Sequence, residues 1–171
     1  MKRVFVLRHA KSDWADPGLS DHDRPLAPRG GRGADLLAAH VRDAGIAPDV
    51  VLCSTALRAR QTFERVAKGL PAGTTVYHEP RLYGPGPDEL IRRLQELPDD
   101  VASAMLVGHN PGLEELVLEL AADGSPGLLE RVETKFPTAA LATLDAAVDK
   151  WSDINAGTAT LTALVTPSDL G

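Results

Sequence analysis

The chain has a single cysteine, no long apolar run and no linker-like segment. Cys53 cannot form an internal disulfide, and one cysteine excludes cysteine-rich zinc modules and iron–sulfur clusters. The first apolar run, residues 4–7, is far too short for a secretory signal or a membrane span, so we expect a cytoplasmic protein with no membrane partner. No internal repeat or proline-rich linker divides the 171 residues, which predicts one domain over residues 1–171.

The composition that is present is typical of a folded domain. Hydrophobic residues make up 43% and charged residues 25% of the chain, which excludes disorder and fibrous repeats. With 24 acidic and 18 basic residues the net charge is -6. This charge disfavours nucleic acid or an anionic membrane as the main partner, so any anion site must be local.

Short buried runs alternate with segments of helical spacing. This alternation predicts an α/β three-layer sandwich, with a mostly parallel central sheet and helices on both faces. Predicted strands cover residues 4–7, 50–53, 75–77 and 104–107, with two closing strands at 139–145 and 159–165. Predicted helices cover about 29–44, the segment after residue 55, 87–97 and the segment after residue 111.

Polar residues follow three of the predicted strands. Arg8-His9 follows the first, Ser54 to Arg58 follow the second, and Gly108-His109 follows the fourth. Ligands of such sheets bind outside the carboxyl ends of the strands. We therefore expect the two histidines and their neighbours to lie at one functional edge.

Two arginines are candidates for binding an anion at that edge. Ser54-Thr55 is a good N-cap sequence, and Arg58 follows one turn later, near a positive helix end. Together with Arg8 it would form a clamp for a dianion such as a phosphoryl group, whose oxygens match planar guanidinium groups.

Other motifs have simpler interpretations. Residues 30–33 are glycine-rich but lack the spacing of a phosphate-binding P-loop, so they predict a helix start. Ser54 lacks the Gly-x-Ser-x-Gly surroundings of a nucleophile, which favours a capping role. Cys53 ends an apolar strand and is expected to be a buried small hydrophobe. Trp14, in the polar segment 13–28, is expected to be a hydrophobic anchor of that loop, and the alternative is a rim residue that contacts a partner.

Three separated motifs resemble the histidine phosphatase superfamily, to which phosphoglycerate mutases belong. They are Leu7-Arg8-His9-Ala10, Cys53 through Thr62, and Val107-Gly108-His109-Asn110. Within that superfamily the chain is most similar to compact SixA-type phosphohistidine phosphatases, through Arg8-His9-Ala10-Lys11-Ser12, Asp23-Arg24-Pro25-Leu26 and Gly108-His109-Asn110-Pro111-Gly112. The usual glycine after the first histidine is Ala10 here, so a left-handed backbone is not expected there.

The resemblance implies a phosphoglycerate mutase-like fold and a phosphatase that needs neither metal nor cofactor. It implies that His9 attacks phosphorus and becomes transiently phosphorylated, while Arg8, Arg58 and a protonated His109 hold the phosphoryl oxygens. It also makes Arg24 a possible additional phosphate contact. The implied partner is a phosphorylated protein or a small phosphorylated substrate.

The proton donor to the leaving group stays open between Glu79, Asp21 and water. An alkoxide leaving group needs a positioned acid, whereas the imidazole of phosphohistidine, with a pKa of about 6.5, can be protonated by solvent beforehand. This difference favours phosphohistidine in a protein as the substrate. The alternatives are a phosphatase of a small phosphoester and a phosphate-recognising module without turnover. Mutase activity ranks low because the chain is short and lacks evident elements to cover a substrate.

Overall fold

Seven strands form one sheet in the computed structural model, which describes residues 1–124 and 127–171. The strands are β1 (Lys2–Arg8), β2 (Val50–Ser54), β3 (Thr75–Glu79), β4 (Ser103–Gly108), β5 (Ala121–Gly124), β6 (Leu141–Ala146) and β7 (Ala159–Val165). Their order across the sheet is β3-β2-β4-β1-β6-β7-β5. Four neighbouring pairs are parallel, and β6 runs antiparallel to both β1 and β7. The predicted mostly parallel sheet and its closing pair of strands are confirmed.

Six helices accompany the sheet in the part of the chain that the structure describes. They are α1 (Pro28–Asp43), α2 (Leu57–Val66), α3 (Pro87–Gln95), α4 (Gly112–Leu120), α5 (Leu128–Thr134) and α6 (Pro167–Leu170). Short 3-10 turns cover Asp21–Asp23, Ala67–Gly69, Pro80–Leu82 and Trp151–Asp153. Within the described ranges, no helix is long and apolar enough to cross a bilayer.

The helices lie on both faces because consecutive side chains of the central strands point in opposite directions. Val4 and Val6 of β1 belong to the buried cluster that includes Leu116 of α4. Phe5 and Leu7 belong to the opposite cluster, with α1 and α2. Burial on both sides explains why these strands read as continuous apolar runs, and it confirms the three-layer α/β prediction.

Three local features of the structure differ from the sequence-based prediction. The helix after β2 has Ala56 as its N-cap with no side-chain cap bond, so Ser54 and Thr55 are not the caps. Strand β5 and helix α5 were not predicted from the sequence. They are only four and seven residues long, too short to show a clear periodic pattern.

Candidate active site

The two predicted histidines meet at the carboxyl ends of adjacent strands. Because β1 and β4 are parallel with Arg8 opposite Gly108, the residues that follow them, His9 and His109, are neighbours. The His9 backbone N–H donates to the Gly108 carbonyl at 3.0 Å, and the two imidazole centroids are 5.1 Å apart. Both side chains are buried. The structure therefore brings together the pair that the strand-end argument predicted.

Hydrogen bonds hold the His9 ring with one nitrogen free. Its Nδ1 lies 2.7 Å from the Ala10 carbonyl oxygen, an acceptor, so Nδ1 carries the proton and Nε2 keeps its lone pair. Ala10 in turn donates its backbone N–H to Thr62 Oγ1 at 2.9 Å, and the Thr62 hydroxyl donates to the Arg58 carbonyl at 2.7 Å. Ala10 has no left-handed backbone, as expected. Helix α2 thus positions both Arg58 and the segment that carries His9.

Both imidazoles are neutral at physiological pH. Burial is the main cause that lowers the pKa of His9 to about 4, and the nearby Arg58 and Arg8 add to this effect. Burial, together with His9 and Arg58, lowers the pKa of His109 to about 3. A neutral His9 is competent as a nucleophile. Burial outweighs the charge of Asp21, which raises the pKa of His109, so the protonated His109 that binds a phosphoryl group stays a prediction.

These shifts predict unusual titrations. NMR can follow the ring resonances of His9 and His109, with His9→Gln and His109→Gln used to assign them. These resonances should shift with pH, with midpoints near pH 4 for His9 and near pH 3 for His109. An ordinary histidine titrates near about 6.5. Since the lowered pKa values mean that the unfolded chain binds more protons, stability should fall as the pH drops from about 6.5 toward 4.

Addition of inorganic phosphate should raise the midpoint of His109, because a dianion favours the imidazolium form. A His9 midpoint near 6.5 in the ligand-free protein would contradict the burial argument.

Arg8 brings a half-buried positive charge to the site. Its Nη1 donates to the Phe136 carbonyl oxygen at 3.1 Å. No carboxylate in the described residues forms an ion pair with it. Burial lowers the pKa of Arg8, but a guanidinium stays protonated in proteins. Removing part of a cation from water without an ion-pair partner is costly, and Glu114 offsets this only by its charge at a distance, so the site favours binding an anion.

Three buried polar atoms in this site have no hydrogen-bond partner among the described residues: Arg8 Nε, Arg58 Nε and His109 Nδ1. Buried polar groups are satisfied in most proteins, and exceptions mark functional sites or missing ligands. All three belong to residues predicted to bind phosphoryl oxygens. The arrangement offers buried donors for the oxygens of a tetrahedral anion next to the lone pair of His9.

Ser54 is a site residue that the sequence did not reveal as one. Its hydroxyl lies 2.8 Å from His109 Nε2 and accepts from the Ala56 backbone N–H at 3.2 Å. The tautomer of the ring sets the direction of this bond: with the ring proton on Nδ1, the Ser54 hydroxyl donates to Nε2, and with the proton on Nε2 the ring donates to the hydroxyl. No pattern in the sequence indicates this contact, because it depends on the adjacency of β2 and β4 in the sheet.

Asp21 occupies the outer side of the arginine cluster. Its carboxylate and backbone carbonyl accept from Arg58 at 3.0 and 2.6 Å, its carboxylate accepts from Arg24 at 3.0 Å, and Tyr83 donates its hydroxyl to the same carboxylate. The Tyr83 hydroxyl and the two guanidinium groups hold the pKa of Asp21 well below its usual range. A carboxylate that stays ionised is a poor acid, so Asp21 is not suited to be the proton donor. Its visible role is to fix Arg58 and Arg24.

Arg24 lies beside Arg58, since both donate to the Asp21 carboxylate, and the phosphate contact that the resemblance implies stays a prediction. The buried guanidinium of Arg24 donates to Ser12 Oγ at 2.6 Å and stacks 3.4 Å above the Trp14 ring centroid. Trp14 itself is 73% exposed, so the expectation that it anchors the loop through burial is wrong. It instead covers Arg24 at the rim of the site.

Glu79 does not join the cluster. It ends β3, and its carboxylate forms a two-point ion pair with Arg93 of α3, at 2.7 and 2.9 Å. This pairing argues against Glu79 as the acid that protonates the leaving group. The sequence suggested it only by its position after the third strand, which does not specify the direction of the side chain.

Two further features of the site concern metals and thiols. Within residues 1–124 and 127–171, no group of three histidine, cysteine or acidic side chains is placed to hold a metal ion. Cys53 is fully buried beside Ser54, and burial raises the pKa of its thiol to about 12. The expectation of a buried, small hydrophobe at this position is confirmed.

Known proteins resemble the chain in sequence and in fold. A family model described as the histidine phosphatase superfamily (branch 1) matches residues 4–83. An uncharacterised protein of Mycobacterium tuberculosis strain H37Rv is 42% identical over 94% of this chain and 99% of its own length. Phosphohistidine phosphatase SixA of Escherichia coli K12 is 32% identical over 83% of this chain and 84% of its own. A structure assigned as SixA from Nakamurella multipartitia superposes with a TM-score of 0.84 at 30% identity, over 97% and 96% of the two chains.

Proposed function

Because this chain belongs to the histidine phosphatase superfamily and is a phosphatase of the SixA type, we propose that its substrate is phosphohistidine in a protein. We further propose that the reaction passes through a phosphorylated His9. In this proposal Arg8, Arg58 and His109 bind the phosphoryl oxygens, and Arg24 supports them from the rim.

The observation that carries the proposal is the set of three unpartnered buried atoms around a neutral imidazole. Among the described residues, Arg8 Nε and Arg58 Nε have no acceptor, nor has His109 Nδ1 in the tautomer that carries its proton there, and phosphoryl oxygens are acceptors. Donors fixed before the reaction stabilise charge as it develops, at no cost of reorganisation. The two guanidinium charges also compensate the charge of the phosphoryl group during transfer.

The reaction has two displacements. His9 Nε2 forms a bond to phosphorus while the bond from phosphorus to the substrate imidazole breaks, and a ring protonated beforehand leaves as neutral imidazole. Water then attacks phosphorus, the bond to Nε2 breaks, and one proton of the water passes to solvent. Inorganic phosphate leaves, and His9 returns to its neutral form.

The leaving group supports phosphohistidine over an alkyl ester. Both carboxyl groups considered as proton donors are held by arginines: Asp21 by Arg58 and Arg24, and Glu79 by Arg93. An alkoxide would depart without the positioned acid that it needs. Imidazole, with a pKa of about 6.5, needs no such acid at neutral pH.

A comparison of leaving groups tests this proposal. We expect kcat/KM for a histidine-phosphorylated peptide and for p-nitrophenyl phosphate to exceed that for glucose 6-phosphate by about 100-fold or more, the size of a typical general-acid contribution. Glucose 6-phosphate turned over as fast as the peptide would assign the enzyme to small phosphoesters. Phosphate binding without turnover of any of the three compounds would indicate a recognition module.

A further inference from the structure

A cleft with a strongly basic lining opens beside the candidate active site. Its volume is about 680 Å³, and its lining includes Ala10, Leu36 and Ala139. Four of the lining residues are cationic and none is acidic. We call this feature the basic cleft and define it by Lys11, Arg29, Arg32 and Lys135.

The basic cleft shares its wall with the segment that carries His9. Lys11 is two residues after His9, and its carbonyl accepts from the Ala27 N–H at 3.0 Å, which joins this segment to the start of α1. On the other side, the Ala139 N–H donates to the carbonyls of Arg8 and His9 at 3.1 and 3.0 Å. A molecule in the basic cleft would therefore lie against the peptide that holds the proposed nucleophile.

The charge of the basic cleft is opposite to that of the whole chain. The net charge is -6, yet all four cations are exposed, and none forms an ion pair with a carboxylate in residues 1–124 or 127–171. The acidic residues of α1 and α6 pair elsewhere: Asp35 with Arg65, Asp43 with Arg42, and Asp169 with Arg131.

The position of two of these cations is also unfavourable for the helix that carries them. Arg29 and Arg32 lie in the first turns of α1, which has no acidic residue in its first turn and no side-chain cap. Cations near a helix N-terminus oppose the helix dipole. An anion bound at this end of α1 would offset the unfavourable interaction of Arg29 and Arg32 with the helix dipole.

We propose that the basic cleft binds a carboxylate-rich segment of the phosphorylated protein while its phosphohistidine is at His9. This inference rests on the proposed function. A volume of about 680 Å³ fits several side chains and far exceeds one phosphate. The exposed Leu36 offers an apolar contact among the cations. Complementary charge of this kind raises association rates and selects partners.

Two peptides phosphorylated chemically on one histidine test the inference. One carries four aspartates beside the histidine, and the other carries asparagines at the same places. Each is assayed with the parent chain, with Arg29→Glu/Arg32→Glu, and with the control Arg42→Glu/Lys68→Glu. The control changes the net charge equally, at exposed positions outside the basic cleft. p-Nitrophenyl phosphate reports the activity of each variant.

With the parent and the control, we expect kcat/KM for the acidic peptide to exceed that for the neutral peptide by about five- to tenfold at low salt, less at 0.5 M salt. In Arg29→Glu/Arg32→Glu this preference should vanish or reverse, while turnover of p-nitrophenyl phosphate and of the neutral peptide stays the same.

Equal kcat/KM for both peptides with the parent would overturn the docking inference and leave the proposed function intact. An equal loss of preference in the control variant would overturn it too, since the effect would then be one of overall charge. If p-nitrophenyl phosphate is hydrolysed but neither peptide is, the proposed substrate fails and the inference with it.

Discussion

Replacing His9 with alanine is expected to abolish turnover, with kcat falling by about 10⁴-fold or more, since loss of a nucleophile removes the covalent route altogether. The physical basis is the free lone pair of Nε2, fixed by the bond from Nδ1 to the Ala10 carbonyl. The measurement combines steady-state kinetics with rapid-quench labelling by a radioactive phosphohistidine peptide. The parent should carry phosphate that is labile in acid, stable in base and located on His9.

A matched control separates this role from a general effect of losing an imidazole. His78 is exposed on β3, and His78→Ala should keep both turnover and labelling. Label that persists in His9→Ala, or that is stable in acid, would contradict the proposed intermediate. Phosphate binding by His9→Ala, seen as a rise in Tm on addition of phosphate, would show that the variant is folded with an intact anion site.

Replacing Arg8 with methionine should change activity and stability in different directions. We expect kcat/KM to fall by about 10³-fold, because a fixed donor and its charge are lost from the transition state. The Tm without ligand should stay the same or rise, because a half-buried cation without an ion-pair partner is replaced by an apolar side chain of similar length. Thermal unfolding and kinetics on one preparation measure both effects.

Arg3→Met is the control for the same chemical change on the same strand. Arg3 is exposed at the other end of β1 and pairs with Asp145 at 2.7 Å, so its loss should leave kcat/KM unaltered. Phosphate should raise the Tm of the parent and of Arg3→Met more than that of Arg8→Met. An Arg8→Met enzyme within tenfold of the parent would remove Arg8 from the proposed mechanism.

The meeting of the two histidines could be predicted from the sequence because it follows from strand geometry. Residues 4–7 and 104–107 are apolar runs buried on both faces, and a polar pair follows each one. Once both runs are parallel strands, their carboxyl ends share an edge of the sheet. Only the adjacency of β1 and β4 remained to be shown by the structure, and it brought His9 and His109 together.

Contacts between side chains distant in sequence could not be predicted in the same way. Ser54 meets His109 across 55 positions, and Asp21 meets Arg58 across 37. No local period encodes such contacts, so the sequence alone predicts a helix cap at Ser54 and a possible acid at Asp21. Glu79 shows the same limit, because its partner Arg93 lies on a helix whose direction the spacing does not specify.

The burial of Cys53 has a consequence for the conditions under which the enzyme works. Its thiol, the only one in the chain, is closed off from solvent and stays protonated, while the proposed nucleophile is a nitrogen. Peroxide disables phosphatases that depend on a thiolate, because the thiolate is the species that oxidises. This chain exposes no thiolate, so peroxide at a level that inactivates thiolate-dependent phosphatases should not inactivate this phosphatase by the same route.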